Sequence, residues 1–118
     1  MHGDRVQLQQ VLLNLVMNGC DAMTGAAPSH RQLTIRTELE GNDQVQISVS
    51  DCGAGIAPEK LEQVFEAFYT TKAHGLGLGL AVCRTIIAAH GGKLWATNNA
   101  GRGAAFHFTL PVARKQNP

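Results

Sequence analysis

The spacing of the apolar residues changes three times along this chain of 118 residues, and these changes constrain the fold more than any other feature. From residue 5 to 23, apolar side chains recur every three or four positions, which predicts an amphipathic α-helix with Asp4 as its N-cap. Residues 33–39 and 45–49 instead alternate apolar and polar side chains on either side of turn-forming residues at 41–43. This second pattern predicts a β-hairpin.

The second half of the chain repeats this order. Pro58 is placed to start a short helix that ends near Phe65, and residues 78–90 again show helical spacing up to a pair of glycines. A second hairpin is predicted to follow, with strands at 93–97 and 104–110. The order predicts a single domain over the whole chain, an α+β two-layer sandwich. We expect a mixed, mostly antiparallel sheet that is covered on one face by helices.

Composition excludes several functional classes. Ten Lys+Arg against nine Asp+Glu give a formal net charge of +1, so the chain lacks the basic excess that nucleic-acid binding requires. No apolar run approaches the roughly 18 residues that a membrane helix needs. The three cysteines are widely spaced and odd in number, which favours reduced thiols over a disulfide framework or a zinc site. We therefore expect no nucleic-acid partner and no membrane contact by this domain.

Three alternating glycines, Gly75, Gly77 and Gly79, lead into the second long helix. A simple turn needs only one glycine, so the run favours a helix start whose N–H groups bind an anion or a phosphate. It is not a dinucleotide-binding fingerprint, because Leu80 stands at the position of the third glycine. Lys72 comes shortly before the run and is placed to reach a phosphate.

Two amides, Asn14 and Asn18, lie one turn apart on the first helix, whose neighbouring positions are Leu, Val and Met. Burial of such an amide is unfavourable unless it is hydrogen-bonded. Two interpretations are open: the amides cap a neighbouring loop, or their oxygen atoms hold a hydrated cation such as Mg²⁺.

The segment from Asp51 to Ile56 also has two interpretations. It is a strand-end turn that needs two flexible residues, or it is a binding loop. In the second case Asp51 presents a carboxylate to a donor such as an exocyclic amine. Gly53 and Gly55 then let a flat ring approach the backbone.

Four segments of the chain, in their order along the sequence, resemble the N, G1, F and G2 boxes of sensor histidine kinases. These kinases belong to the GHKL superfamily of nucleotide-binding domains. The resemblance extends from about residue 4 to 111 and implies the Bergerat-type ATP-binding fold. The four segments are Asn14-Leu-Val-Met-Asn18, Asp51-x-Gly53-x-Gly55-Ile56, Phe65-x-x-Phe68-x-Thr-Thr-Lys72 and Gly75-Leu-Gly77-Leu-Gly79-Leu80.

The resemblance implies a role for each matched position. Asn18 is implied as the Mg²⁺ ligand and Asn14 as a support for the metal and the phosphates; with Lys72 they form the implied catalytic set. Asp51 is implied to accept a hydrogen bond from the adenine N6 amine. The remaining implied ATP contacts are the base-pocket residues Gly53, Gly55 and Ile56 and the lid and phosphate-binding residues Thr70, Thr71, Lys72, Gly75, Leu76, Gly77, Leu78, Gly79 and Leu80.

Four positions distinguish this chain from other members of the superfamily. The ATPases and the anti-sigma serine kinases have a glutamate base where this chain has Asn14, and a histidine acceptor needs no such base. Asp21 stands where many members have a cation, so the cationic phosphate contact passes to Lys72. Ala104 and Ala105 occupy a stretch where a threonine often holds adenine through water.

The function implied by the resemblance is binding of ATP or ADP with Mg²⁺. In the intact protein the γ-phosphoryl group then passes to a histidine on a separate dimerisation domain, with a response regulator as an indirect partner. No segment resembles the phosphoacceptor helix, so we expect a fragment that does not autophosphorylate by itself. The chain begins at the cap of its first helix, so we expect it to be N-terminally truncated. We also expect a cytoplasmic location, in agreement with the reduced thiols, and a monomeric state. Two alternatives are a free-standing anti-sigma-like module that binds a partner in a nucleotide-dependent way and a degenerate domain that binds no nucleotide.

Overall fold

The structure is a computed structural model that describes residues 5–23, 31–41, 43–66 and 79–111. Over these residues the chain forms helices and strands in the predicted order. The elements are α1 (Arg5–Ala22), β1 (Thr34–Glu40), β2 (Gln44–Ser50), α2 (Gly79–Ala89), β3 (Leu94–Asn98) and β4 (Ala104–Pro111).

The strands form one sheet in the order β1-β2-β4-β3, and all three pairings between the described strands are antiparallel. Val49 on β2 lies opposite Ile35 on β1 and Phe106 on β4, and Phe106 in turn lies opposite Ala96 on β3. This register places the alternating apolar residues of the three strands β2, β4 and β3 on one face of the sheet.

The two helices cover that face, which confirms the predicted two-layer α+β sandwich. Val11 and Leu15 from α1 meet Cys83 and Ile87 from α2, and all four are fully buried. The Phe65 ring packs edge-on against Phe106, with the ring centroids 5.9 Å apart. The core formed in this way comprises Val11, Leu15, Val49, Val64, Phe65, Cys83, Ile86, Ile87, Leu94, Ala96, Phe106, Phe108 and Leu110.

The segment between β2 and α2 differs from the prediction of one short helix. It contains two separate 3₁₀ turns, at Pro58–Lys60 and Gln63–Phe65, and neither turn has a side-chain cap. The adjacent residues Val64 and Phe65 are both buried. The lack of side-chain capping favours two short 3₁₀ turns over a continuous α-helix.

The opposite face of the sheet is polar and is not covered by either helix. His107 on β4 lies at its centre and forms a hydrogen bond to each neighbouring strand. Its Nδ1 is 2.7 Å from Oγ of Ser48 on β2, and its Nε2 is 2.8 Å from Oγ1 of Thr97 on β3. The His107 ring also stacks on Trp95, with centroids 5.3 Å apart. Burial lowers the pKa of His107, so its neutral form is favoured in the folded chain.

Neither helix of the described part of the chain is long and apolar enough to cross a membrane.

Candidate functional site

A carboxylate held by the backbone lies at the end of β2. Asp51 is 3% exposed, and its Oδ1 accepts hydrogen bonds from the backbone N–H of Gly53 at 2.8 Å and of Ala104 at 3.3 Å. The Asp51 N–H donates to the Ala104 carbonyl at 2.9 Å, so the two residues bond in both directions. These bonds fix the carboxylate through Oδ1 and leave Oδ2 as the oxygen that is available to a ligand.

The Oδ2 side of Asp51 faces the end of α1. A Cβ added at Gly19 would lie 3.9 Å from Oδ2, and a Cβ added at Gly53 would overlap the Ala22 carbonyl oxygen. Glycine at position 53 therefore lets residues 51–56, here called the Asp51 loop, approach the last turn of α1 closely. The half-buried Asn18 directly precedes Gly19, so an amide and a carboxylate flank the same short stretch of helix.

Asn14 lies one turn earlier, at the contact between the two helices. Its Nδ2 donates a hydrogen bond to Cys83 Sγ on α2 at 3.6 Å, which leaves Oδ1 as the free polar atom of the amide. Burial raises the pKa of Cys83, so this thiol stays protonated and acts as a packing residue and a weak hydrogen-bond partner. The bond orients Asn14 without using the oxygen that a metal or phosphate site requires.

A turn distant in sequence supplies the other partners of the Asp51 loop. Asn98 at the end of β3 forms two hydrogen bonds with the Ile56 backbone, and Asn99 donates to the Asp51 carbonyl at 3.0 Å. Arg102 Nε donates to the Cys52 carbonyl at 3.1 Å. Residues 98–104, here called the β3–β4 turn, therefore hold the loop from the side opposite α1.

The sequence predicts only a hairpin turn at residues 98–103, so these contacts are not foreseen from it. Asn98 and Ile56 are 42 positions apart, and no local pattern links them. The one available signal is the pair of adjacent amides, Asn98-Asn99, at a strand end.

The predicted residues divide into two groups. The structure brings Asp51, Gly53, Gly55 and Ile56 together in one loop beside α1, which carries Asn14 and Asn18. Gly79 begins α2, where no atom of the described residues lies within 4 Å of an added Cβ, and Leu80 packs against the core. The lid and phosphate-binding residues Thr70, Thr71, Lys72, Gly75, Leu76, Gly77 and Leu78 lie outside the described residues.

The described residues contain no cluster of three or more His, Cys, Asp or Glu side chains that could hold a metal ion. Asn14 and Asn18 offer amide oxygens, which are hard donors of the type that Mg²⁺ accepts. Mg²⁺ usually combines a few such protein oxygens with phosphate oxygens and water, so this donor set fits a metal that arrives with a nucleotide.

This chain belongs to the HATPase_c family, described as histidine kinase-, DNA gyrase B- and HSP90-like ATPases, which matches residues 3–114. Within that family it is a catalytic ATPase domain of the histidine kinase type. It is 46% identical over 110 residues to the sensor protein FixL of Bradyrhizobium diazoefficiens. That match covers 93% of this chain and 21% of FixL, so the chain spans about a fifth of that relative's length.

Two solved structures have the same fold. The catalytic domain of the histidine kinase ThkA, in a nucleotide-free form, matches with a TM-score of 0.79 and 39% identity over 92% of this chain and 68% of that one. Full-length ShkA in complex with AMPPNP matches with a TM-score of 0.77 and 32% identity, covering 94% of this chain and 22% of ShkA.

Proposed function

We propose that residues 1–118 form the ATP-binding catalytic domain of a sensor histidine kinase. The domain binds Mg·ATP and, in the intact protein, the γ-phosphoryl group passes to a histidine on a separate dimerisation domain. A response regulator is then the indirect recipient of the signal. We propose a cytoplasmic location and a monomeric state for the domain itself.

The observation that carries this proposal is the geometry of Asp51. Two backbone N–H groups hold Oδ1, and Oδ2 lies on the side of Gly19 in α1, so the carboxylate is fixed before any ligand arrives. A fixed, nearly buried acceptor suits an exocyclic amine such as adenine N6, because the buried carboxylate has lost its water and gains a charge-assisted hydrogen bond. Gly53 packs against the end of α1 and Gly55 against Asn98, so these two glycines would act by holding the loop in place beside the ring.

The phosphate side of the site is proposed from the sequence and from α1. Asn18 would hold Mg²⁺ through its amide oxygen, and Asn14 would turn Oδ1 to the metal and the phosphates while Cys83 occupies its Nδ2. Lys72 and the glycine run at 75–79 would neutralise and orient the phosphates. Bound Mg²⁺ would supply neutralisation of charge on the phosphate oxygens.

The chemistry proposed for this domain is positioning. An imidazole nitrogen attacks phosphorus with its own lone pair, so the domain needs no residue to remove a proton from the acceptor. Asn14, whose amide is not a base, agrees with this requirement. The domain contributes the orientation of the nucleotide and the neutralisation of its charge.

The test is calorimetric titration of the chain with ADP and Mg²⁺, before and after Asp51→Asn. The backbone N–H groups of Gly53 and Ala104 will hold the amide oxygen of the variant in place of Oδ1. The amide NH₂ then replaces Oδ2 and faces the adenine amine, donor against donor. We expect ADP affinity to fall by at least about tenfold. Asp43→Asn, which removes an exposed carboxylate in the β1–β2 turn, is the matched control and should bind ADP as the unmodified chain does.

Two results would contradict the proposal. Absence of ADP binding by the unmodified chain would remove the nucleotide function itself. Acid-labile phosphate on the purified chain after incubation with Mg·ATP would show that it needs no separate domain as acceptor.

A further inference from the structure

We propose that Asn98 is a positioning residue that sets the geometry of the Asp51 loop and thereby the selectivity of the site for adenine. The inference rests on the proposed nucleotide function and assigns a role to a residue that acts through the loop rather than on the nucleotide. It concerns the base end of the site only.

The contact between Asn98 and the loop is bidentate. Asn98 Oδ1 accepts from the Ile56 N–H at 2.8 Å, and Asn98 Nδ2 donates to the Ile56 carbonyl at 2.5 Å. One side-chain amide therefore satisfies both backbone groups of Ile56, as a neighbouring strand would. Gly55 lies against the same amide, because a Cβ added there would be 3.0 Å from Asn98 Oδ1.

The remainder of the β3–β4 turn continues this contact along the loop. Asn99 Nδ2 donates to Ser50 Oγ at 2.9 Å and to the Asp51 carbonyl at 3.0 Å, and Arg102 donates to the Cys52 carbonyl. Asp51 itself is paired with Ala104. The anchoring of the loop thus extends from its first residue, at Asp51, to its last, at Ile56, and Asn98 secures the far end.

The loop needs this external support because it has no regular secondary structure and contains two glycines. Gly55 has a positive φ of 84°, and glycine-rich backbone has a large conformational entropy when it is unrestrained. A loop that is ordered before the ligand arrives binds more tightly than one that must be ordered on binding. Asn98 is exposed and adds nothing to the hydrophobic core, so its bonds act on the loop rather than on the overall packing.

The chemistry at position 98 is specific to an asparagine amide. The site requires an acceptor for the Ile56 N–H and a donor for the Ile56 carbonyl at the same reach. The substitution Asn98→Asp would keep the acceptor, lose the donor and place a negative charge against the carbonyl. Alanine would supply neither.

The experiment measures the affinities of ADP and of inorganic tripolyphosphate, both with Mg²⁺, for the unmodified 118-residue chain and for Asn98→Ala and Asn98→Asp. We expect both variants to bind ADP about tenfold or more weakly, since two hydrogen bonds to the loop are lost or reversed. Tripolyphosphate affinity should change less than about twofold, because the triphosphate does not use the base end of the site. Thr97→Val is the matched control: it removes a side-chain hydrogen bond of the preceding residue, to His107 on the other face of the sheet.

The outcomes separate the possibilities. A selective loss of ADP affinity in both Asn98 variants, with Thr97→Val unchanged, supports the inference. Equal losses for ADP and tripolyphosphate indicate general damage and overturn it, as does unchanged ADP affinity. If the unmodified chain binds ADP no better than tripolyphosphate, the adenine site of the proposed function fails as well.

Discussion

Single residues around Asp51 decide how closely three segments of the chain approach one another. Gly53 meets the end of α1, and Gly103 meets Asp51 from the β3–β4 turn. A Cβ added at Gly103 would overlap the Asp51 carbonyl oxygen and lie 2.9 Å from Oδ1, and the φ of Gly103 is +96°. Both the space and the backbone conformation at this position therefore require glycine.

Gly103→Ala should destabilise the chain by roughly 2 kcal/mol or more, because the new methyl group strains the backbone and displaces the Asp51 carbonyl. The affinity of this variant for ADP should also fall, since the Asp51 carboxylate is displaced together with its carbonyl. The free energy of unfolding in urea and the calorimetric affinity are the measurements. Gly101→Ala lies in the same turn, but no atom in the part of the chain that the structure describes is within 4 Å of its Cβ, so stability should change by less than about 0.5 kcal/mol. Equal effects of the two substitutions would contradict the close contact.

At this scale the sequence identifies residue types but not partners. Asp51, Gly53 and Gly55 form a local pattern and can be predicted as one loop. Gly103 can be predicted as a turn residue, whereas its contact with Asp51 depends on the β2–β4 pairing, which no local pattern encodes.

The elements follow from periodicity, and their limits agree with the predictions within one or two residues. α1, α2 and the four strands each have one consistent apolar spacing, and burial of the matching face stabilises all of them except the exposed edge strand β1. The segment at 58–65 lacks such a spacing, and there the tertiary contacts of Val64 and Phe65 determine the local structure. The polar face of the sheet is also an element-scale feature, because His107 bonds to residues on two neighbouring strands.

The titration of His107 should make the stability of the sheet depend on pH. Since burial lowers its pKa in the folded state, the unfolded chain binds the proton more readily. The contribution of His107 to stability is thus complete above about pH 6.5, the ordinary histidine value, and is lost as the pH falls below it. His107→Gln should reduce the difference between the urea unfolding free energies at about pH 7.5 and about pH 5.5. An unchanged difference would mean that His107 keeps its ordinary pKa.

The whole molecule has an uneven apolar surface. β1 is an edge strand of the described sheet, and Ile35 and Leu39 on its helix-facing side are 50% and 73% exposed. Neither helix extends over β1, so apolar residues that face inward on β2 face solvent on β1. Exposed apolar edge strands favour self-association.

Leu39→Lys should change the free energy of unfolding by less than about 0.5 kcal/mol relative to the unmodified chain, because Leu39 is exposed. It should also lower light scattering at high protein concentration, because it adds a charge to an exposed edge strand. Val45→Lys is the informative comparison, since Val45 lies opposite Leu39 but packs against the core. That substitution should destabilise by roughly 2 kcal/mol or more through burial of a charge. Similar destabilisation by both would mean that Leu39 is covered in solution.

The long sequence separation within the Asp51 loop's contacts has a consequence for biosynthesis. Asn98 and Ala104 follow their loop partners by 42 and 53 residues, so a growing chain leaves the ribosome with the Asp51 loop complete and its anchors still missing. The loop geometry proposed for nucleotide binding is therefore complete only when β4 has paired with β2 and β3. A nucleotide that binds only this finished state would draw the equilibrium toward it, so the proposed binding of ATP would select fully folded chains over partly folded ones.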